Sequence, residues 1–385
     1  MKVLMLLEGL GSGGAERQMC FLADGLRRRG HEVSVATYCP QDFYKPLLDR
    51  AGVEHVPLSA EGRLGRARAV RRLLRGRRAD VVLAFLQGPC LFAELASLPS
   101  RKWGLVVSER IAAPARRGFD WRRELHRLAD CVTTNSHTNR LQLEKTVPGL
   151  VGKVITVYNA VDLGAFRPIP RSALSGAGPL RLVVAATYHP RKNVEGLVRA
   201  VALLRATRPE VECRVDWYGA VPEDRGVYEG ASRLIQELGL SGRFELRPAT
   251  RDIVGVYQDA DAIVLPSHYE GLPNAICEAM ACGKPVLMSA VCDAGNLVQE
   301  GRNGFLFDPR SPEEIARAVA SLESLGPAGR EALGEESRRM ARRMFAPDAY
   351  VDRYADILEA AAARNRVTVS HWVPDVPATA AASVA

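Results

Sequence analysis

The sequence predicts an α/β protein made of two doubly wound, Rossmann-like parallel domains. Three observations carry that reading. Short apolar runs alternate with amphipathic stretches along most of the chain, the pattern of parallel strands joined by helices. The alternation stops once, between Asp162 and Gly178, where Pro168, Pro170, Gly176 and Pro179 mark a linker, and then restarts. The length, 385 residues, exceeds what one ordinary core holds and suits two.

Taken in order, residues 3–7 read as a buried strand. The run is too short for a signal peptide and leads into glycines, not a cleavage site. A helix follows over 15–29, with Met19, Leu22, Ala23 and Leu26 on one face and Gly30 to stop it. Strands are predicted at 32–38, 80–85, 105–108, 131–135 and 154–158. Helices are predicted between them at 65–75, 91–98 and 121–128 and after Ser136. Past the linker the predicted strands are 181–186, 213–218, 243–246, 262–266 and 286–289. The helices are 194–207, 228–238, 253–258, 273–282 and 312–325, with a last one over 347–363. This sets domains at 1–165 and 178–340, and a tail over 366–385 whose Ala, Val, Pro and Thr content predicts disorder. The segments 130–136 (DCVTTNS) and 261–267 (DAIVLPS) echo each other, each with an Asp before a buried strand and a Ser after it. Ligands of doubly wound sheets sit beyond the carboxyl ends of strands, so two such domains facing one another would form a cleft floored by loops from both.

Composition excludes several classes. No stretch approaches the roughly 20 apolar residues of a membrane-spanning helix. The eight cysteines form no CxxC pair and read as reduced, small apolar residues, with no metal site. The net charge of +8 is uneven: residues 1–165 hold 26 Lys and Arg against 16 Asp and Glu, the remainder 26 against 28. The basic first half suits an anionic partner such as a membrane surface or a phosphorylated acceptor. No nucleic-acid motif accompanies it. The densest basic run, Arg63 to Arg78, holds eight arginines and no acid. It reads either as a solvated helix or as an attachment site for anionic lipid.

Two segments carry chemistry. Gly9-Leu-Gly11-Ser-Gly13-Gly14 follows a strand and precedes a helix, so the backbone can approach a ligand and the helix N-terminus can meet an anion. It matches the dinucleotide fingerprint in form, but the second strand ends Thr37-Tyr38-Cys39, without the acid that would hold a ribose. No Walker lysine is present either. The second segment is Ser267-His-Tyr-Glu270-Gly271-Leu272-Pro273-Asn274-Ala-Ile-Cys-Glu278. Glu270 ends a loop leaving a buried strand, Pro273 suits a first helical turn, and Glu278 lies on the helix at one-turn spacing from Asn274. Amides around Gly271–Asn274 can hold a sugar or phosphate while two carboxylates bind hydroxyls.

This second segment resembles the signature of the retaining glycosyltransferases of the family-4 type (glycosyl transferases group 1), which have the GT-B fold: two glutamates separated by seven residues. Residues 11–18 (GSGGAERQ), Asn159-Ala-Val-Asp162 and Gly301-Arg-Asn-Gly304 resemble further motifs of that family, so the resemblance covers nearly the whole chain. It implies a metal-independent, cofactor-free enzyme that moves a sugar from a nucleotide diphosphate donor, most readily a UDP-sugar, to a lipid-linked, polysaccharide or other glycan acceptor, with retention. It implies a cytoplasmic protein, peripheral at the inner face of the membrane. It also implies that Glu278 binds the nucleotide ribose, Glu270 and the Gly271, Leu272, Pro273 and Asn274 backbone hold the donor sugar, and Lys192 neutralises the diphosphate. Gly13 and Gly14 would face the diphosphate, with Glu16, Glu109 and Arg110 on the acceptor side. The last helix would return to the first domain.

The chain departs from the family pattern in places. Thr187 stands where the family commonly has an arginine, and Arg191, next to Lys192, is the expected substitute for its charge. Pro248 replaces a glycine near the base-binding loop, and Ser108-Glu109-Arg110 occupies the region of a common cleft histidine. Asp259-Ala-Asp261 mimics a metal-binding DxD, but its place before a buried strand predicts a turn or cap. The alternatives are a nucleotide-sugar 2-epimerase of the same fold and a non-catalytic relative acting as a partner subunit, which Thr187 favours.

Overall fold

The computed structural model describes residues 1–110, 120–169 and 178–364. The chain divides into two units. Unit 1 is Met1–Ala160 with the described chain from Pro347 on, and unit 2 is Val161–Ala346.

In unit 1 the strands are β1 (Lys2–Leu7), β2 (Glu32–Thr37), β3 (Glu54–Pro57), β4 (Val81–Phe85), β5 (Gly104–Glu109), β6 (Cys131–Thr134) and β7 (Val154–Thr156). Among the described residues they form one sheet in the order β3-β2-β1-β4-β5-β6-β7. The helices are α1 (Gly14–Arg28), α2 (Lys45–Ala51), α3 (Gly62–Gly76), α4 (Gln87–Ala96), α5 (Trp121–Glu124) and α6 (His137–Thr146). Alternation along the strands sorts the core into two layers. Val3, Met5 and Leu7 face α1, while Leu4 and Leu6 face α3 and α4.

Unit 2 holds β8 (Leu180–Ala185), α7 (Val194–Thr207), β9 (Cys213–Gly219), α8 (Gly226–Glu237), β10 (Phe244–Pro248) and α9 (Ile253–Asp259). Then come β11 (Ala262–Leu265), α10 (Asn274–Ala281), β12 (Val286–Ser289), α11 (Ala294–Leu297), β13 (Gly304–Phe307), α12 (Pro312–Ser324) and α13 (Gly326–Met344). Its sheet runs β10-β9-β8-β11-β12-β13, and among the described residues the strand pairings of both sheets are parallel.

The helix α14 (Pro347–Ala362) returns to unit 1. Tyr350, Val351, Tyr354, Ile357, Leu358 and Ala361 complete the core layer of β1, β4 and β5. Contact is close enough that a Cβ on Gly104 would collide with the carbonyl oxygen of Ala361.

Five elements go beyond the sequence reading: α2, β3, α11, β13 and α13. β3 is a short edge strand ending in Pro57, and proline on an edge masks a strand signal. β13 is four residues directly behind the Asn303-Gly304 turn. α13 buries Leu333, Met340 and Met344 along with Gly334, Ser337 and Ala341, so small residues occupy much of its contact face and no apolar stripe shows.

The echo at 130–136 and 261–267 has a physical cause. Asp130 Oδ2 accepts from the backbone N–H of Leu105 at 2.7 Å, and Asp261 Oδ2 from that of Arg181 at 2.9 Å. Each Asp thus satisfies an early amide of the neighbouring parallel strand, which is what Asp261 of the DxD-like triplet does here. The 366–385 tail and part of the linker, 170–177, lie outside the described residues.

Candidate active site

In unit 2 the loops after β8 and β11 carry the site. After β8, Pro190–Lys192 form a short 3₁₀ turn, and His189 Nδ1 accepts from the Arg191 amide at 3.2 Å. Asn193 then takes a left-handed conformation, φ 59°, which asparagine tolerates better than most residues. Its Oδ1 accepts from the Gly196 amide and caps α7. Its Nδ2 donates to the carbonyls of Pro266 (3.1 Å) and Pro309 (2.6 Å), tying the loop to the ends of β11 and β13. The amide of His268 donates to the Arg191 carbonyl at 2.8 Å, so the two site loops are stitched directly.

That stitching brings three predicted residues together. Glu270 is 6% exposed. Lys192 Nζ donates to its Oε1, and Arg191 Nη1 stands 3.7 Å from its Oε2. The Arg191 guanidinium also lies 5.9 Å from the Tyr269 ring centre. Gly271, Leu272 and Pro273 are buried and lead to α10, with Pro273 as its cap residue and Asn274 opening the helix half-buried. The N-terminal amides of such a helix favour an anion. Glu278 is on the same helix and 4% exposed. Ser267 Oγ, fully buried at the end of β11, has no hydrogen-bond partner among the described residues. Thr187 is exposed.

In unit 1 the predicted residues gather at the carboxyl ends of β1 and β5. Gly13 caps α1, and a Cβ there would collide with the Glu16 carboxylate, which folds back over it. Gly14 is the first residue of α1. Burial raises the Glu16 carboxyl above its usual range, as does the charge of Glu8; its own amide and Arg110 work the other way. The Arg110 guanidinium is buried. It lies 4.4 Å from the Phe85 ring centre, donates to Asn159 Oδ1, and is 3.4 Å from the Tyr354 hydroxyl. Gln18 bonds both backbone groups of Ala160, at 2.8 and 3.0 Å. Gln18 of the GSGGAERQ segment is thereby joined to Ala160, the end of the first stretch of unit 1.

Glu109 belongs to a buried group that sequence reasoning missed. Arg123 donates to its Oε1 at 3.0 and 3.1 Å, His126 Nε2 lies 3.7 Å from Oε2, and His126 Nδ1 contacts Glu94 Oε1 at 2.6 Å. Burial would lower the His126 imidazole, but Glu109 and Glu94 outweigh it and hold the imidazole up at about 9. Burial likewise pushes the Glu109 carboxyl up, yet His126 and Arg123 bring it below its usual range. For Glu94 burial wins and the carboxyl is raised. Nothing in the sequence around Glu94 or His126 distinguishes them from surface residues; only the fold brings them into contact.

Among the described residues no group of three or more His, Cys, Asp or Glu side chains is placed to hold a metal, and no helix is long and apolar enough to cross a membrane. All eight cysteines are free. On α3, Arg71 and Arg75 donate to the carbonyls of Leu98 and its neighbours, and Arg77 pairs with Glu54. Arg63, Arg68, Arg72 and Arg78 are exposed, beside Leu64 at 73% exposure.

The chain matches the family model described as Glycosyltransferase Family 4 over residues 12–165, and that described as Glycosyl transferases group 1 over residues 179–324. A similar protein from Nocardioides sp., named D-inositol 3-phosphate glycosyltransferase, is 32% identical over 208 residues, covering 50% of this chain and 45% of the relative. The chain thus spans about half the length of the relatives it matches. Among solved structures, Anabaena Alr3699/HepE superposes with a TM-score of 0.81 at 21% identity, covering 94% of this chain and 100% of that one. A glycosyltransferase from Rickettsia africae gives 0.80 at 16%, covering 93% and 98%. At these identities the likeness shows a shared fold. With the two family models spanning most of its length, the chain belongs to the glycosyltransferases of family 4 and group 1.

Proposed function

We propose that the protein transfers a sugar from a nucleotide diphosphate sugar, preferably a UDP-sugar, to a lipid-linked, polysaccharide or other glycan acceptor, with retention and without a metal. The observation that carries this reading is the convergence of Lys192 and Arg191 on buried Glu270, next to the N-terminus of the helix that bears Glu278. The preference for UDP rests on Alr3699/HepE, which has been solved with UDP and with UDP-glucose.

In this reading Glu278 accepts hydrogen bonds from the ribose, while Glu270 and the Gly271–Asn274 backbone orient the sugar. Lys192 and Arg191 meet the diphosphate, whose charge grows as the glycosidic bond breaks. Fixed cations and amides aimed at that charge lower the barrier more than they tighten ground-state binding. The buried Ser267 hydroxyl offers a further donor. The acceptor hydroxyl then attacks from the face the diphosphate leaves, with no protein nucleophile. In the same reading Gly13 and Gly14 are donor-binding residues that meet the diphosphate, and Glu16, Glu109 and Arg110 are the acceptor-side residues. Arg63, Arg68, Arg72 and Arg78, exposed in the Arg63–Arg78 stretch, hold the protein, cytoplasmic in this reading, on anionic lipid at the inner face of the membrane.

The test is a panel of UDP- and GDP-sugars scored by thermal stabilisation, since a ligand of the native state raises the melting temperature. Turnover is then measured with and without EDTA. Stabilisation by one donor and turnover that survives EDTA are expected. Turnover that requires Mn²⁺ or Mg²⁺ overturns metal independence. A second reading, a non-catalytic relative, is favoured by Thr187 in place of the usual arginine; binding of the nucleoside diphosphate with no turnover on any acceptor would establish it. Consumption of the nucleotide sugar without an acceptor would point instead to an epimerase.

A further inference from the structure

Unit 2 has a second concave site. A cavity of about 1160 Å³ opens beside its sheet, ample for a small molecule. Part of its lining, Arg181 and Asp261, marks the starts of β8 and β11, whereas 187–193 and 267–274 follow the ends of those strands. Tyr218 and Arg247 extend the lining along β9 and β10.

The floor is the polar face of three strands. Register puts Arg181 beside Arg214 and Tyr218 beside Arg247. The wall is α13, which contributes Arg330, Arg338, Arg342 and Arg343. Among the described residues nine Lys and Arg side chains line the cavity against four Asp and Glu.

Two of the four carboxylates are already engaged within the fold. Asp216 is taken by Arg247 at 2.6 Å and Arg214 at 3.5 Å. Asp261 accepts from a backbone amide. Arg181, Arg342 and Arg343 have no carboxylate within ion-pair distance among the described residues. The Nε groups of Arg214, Arg330 and Arg338 are buried without a hydrogen-bond partner there. Arg338 is clamped by the carbonyls of Leu163, Phe166 and Ala281, so it cannot swing out to solvent. Buried donors without partners are rare in folded proteins, and guanidinium groups fit phosphate oxygens in bidentate fashion.

We propose that this cavity binds a small soluble anion bearing two or more phosphate groups, held between the strand arginines and those of α13, at a site separate from the sugar-donor residues. Two banks of arginine, one on the floor and one on the wall, call for a ligand with charge at both ends, which a single phosphate lacks.

The experiment is calorimetric titration of the full-length protein with inorganic triphosphate. Three forms are compared with wild type: Arg181→Gln/Arg342→Gln/Arg343→Gln, Lys192→Gln, and a charge-matched control, Arg63→Gln/Arg68→Gln/Arg72→Gln. The substituted arginines are exposed, and melting curves verify folding. The first triple variant should lose at least tenfold in affinity at the cavity site, while Lys192→Gln and the control keep that site within twofold. The proposal is overturned if wild type binds no triphosphate, if only Lys192→Gln loses binding, or if both triple variants lose it equally. The last result would mean general attraction to a basic protein.

Discussion

Lys192 donates to Glu270 across 78 positions of sequence, and Arg191 stands 3.7 Å from the other oxygen of the same carboxylate. Two adjacent cations therefore converge on one buried acid, although neighbours on a loop often point apart. The Lys192 side chain is the more buried of the two, 13% exposed against 33% for Arg191. Lys192→Gln should lower turnover by about 10²–10³, the scale for losing one donor to transition-state charge. Arg191→Gln should cost roughly tenfold, and the double variant less than the product, because the two share a partner. Single-turnover rates decide this. A wild-type rate for Arg191→Gln would remove Arg191 from the site and leave Lys192 in it.

Glu278→Ala should weaken nucleoside diphosphate binding by about 1.5–3 kcal/mol, the value of a hydrogen bond to a charged group. Glu270→Ala should act mainly on turnover. Calorimetry for affinity and initial rates for turnover separate the two effects. If both variants keep wild-type affinity and rate, the two-glutamate segment does not bind the donor.

The buried group around His126 gives stability an alkaline limb. Its folded-state value, about 9, lies above the ordinary 6.5. The stabilisation is therefore complete below about pH 6.5 and is lost as pH climbs through about 9. Buried thiols such as Cys20 and Cys131, pushed up to about 12, add a loss of their own once unfolded thiols ionise near pH 8.5. Comparison with His126→Gln isolates the histidine. Between pH 7 and 9 the melting temperature of wild type should fall more steeply than that of the variant. Parallel slopes would show that His126 is not protonated in the folded state.

Replacing Arg63, Arg68, Arg72 and Arg78 with Gln should release the protein from anionic vesicles, each charge near such a surface being worth ~1 kcal/mol. Replacing Arg71 and Arg75 should instead loosen the packing of α3 on α4, since they bond the carbonyls beyond that helix. Vesicle flotation and melting temperature read the two effects. Equal flotation of wild type and the four-fold variant ends the membrane reading.

Much of the fold was legible because its signals are local. Apolar runs such as Val81–Phe85 and the glycine stop after α1, Gly30, act through their immediate neighbours. α13 was not legible, because Gly334 packs against the Gly283 carbonyl in the turn after α10, and close backbone approach leaves no apolar pattern. The candidate site divides the same way. Glu270, Glu278 and Lys192 stand in motifs, so their types and spacing could be read. The pairing of Arg123, His126 and Glu94 around Glu109 depends on which side chains β5, α4, α5 and the 3₁₀ turn Leu125–Leu128 bring within 4 Å. Residue type does not encode that.

The return of α14 to unit 1 bears on how the protein is made. A ribosome releases Met1–Ala160 long before Pro347–Ala362, and in that interval β1, β4 and β5 lack the α14 core side chains that cover them. The continuous segment Val161–Ala346 has all its strands in hand as soon as it emerges. The part synthesised second is thus the first able to close its core, and the part synthesised first must wait, with an uncovered sheet face, until α14 emerges. Growth of the chain in the cell therefore places a demand on chaperones, which shield exposed apolar surface, that refolding of the finished polypeptide does not.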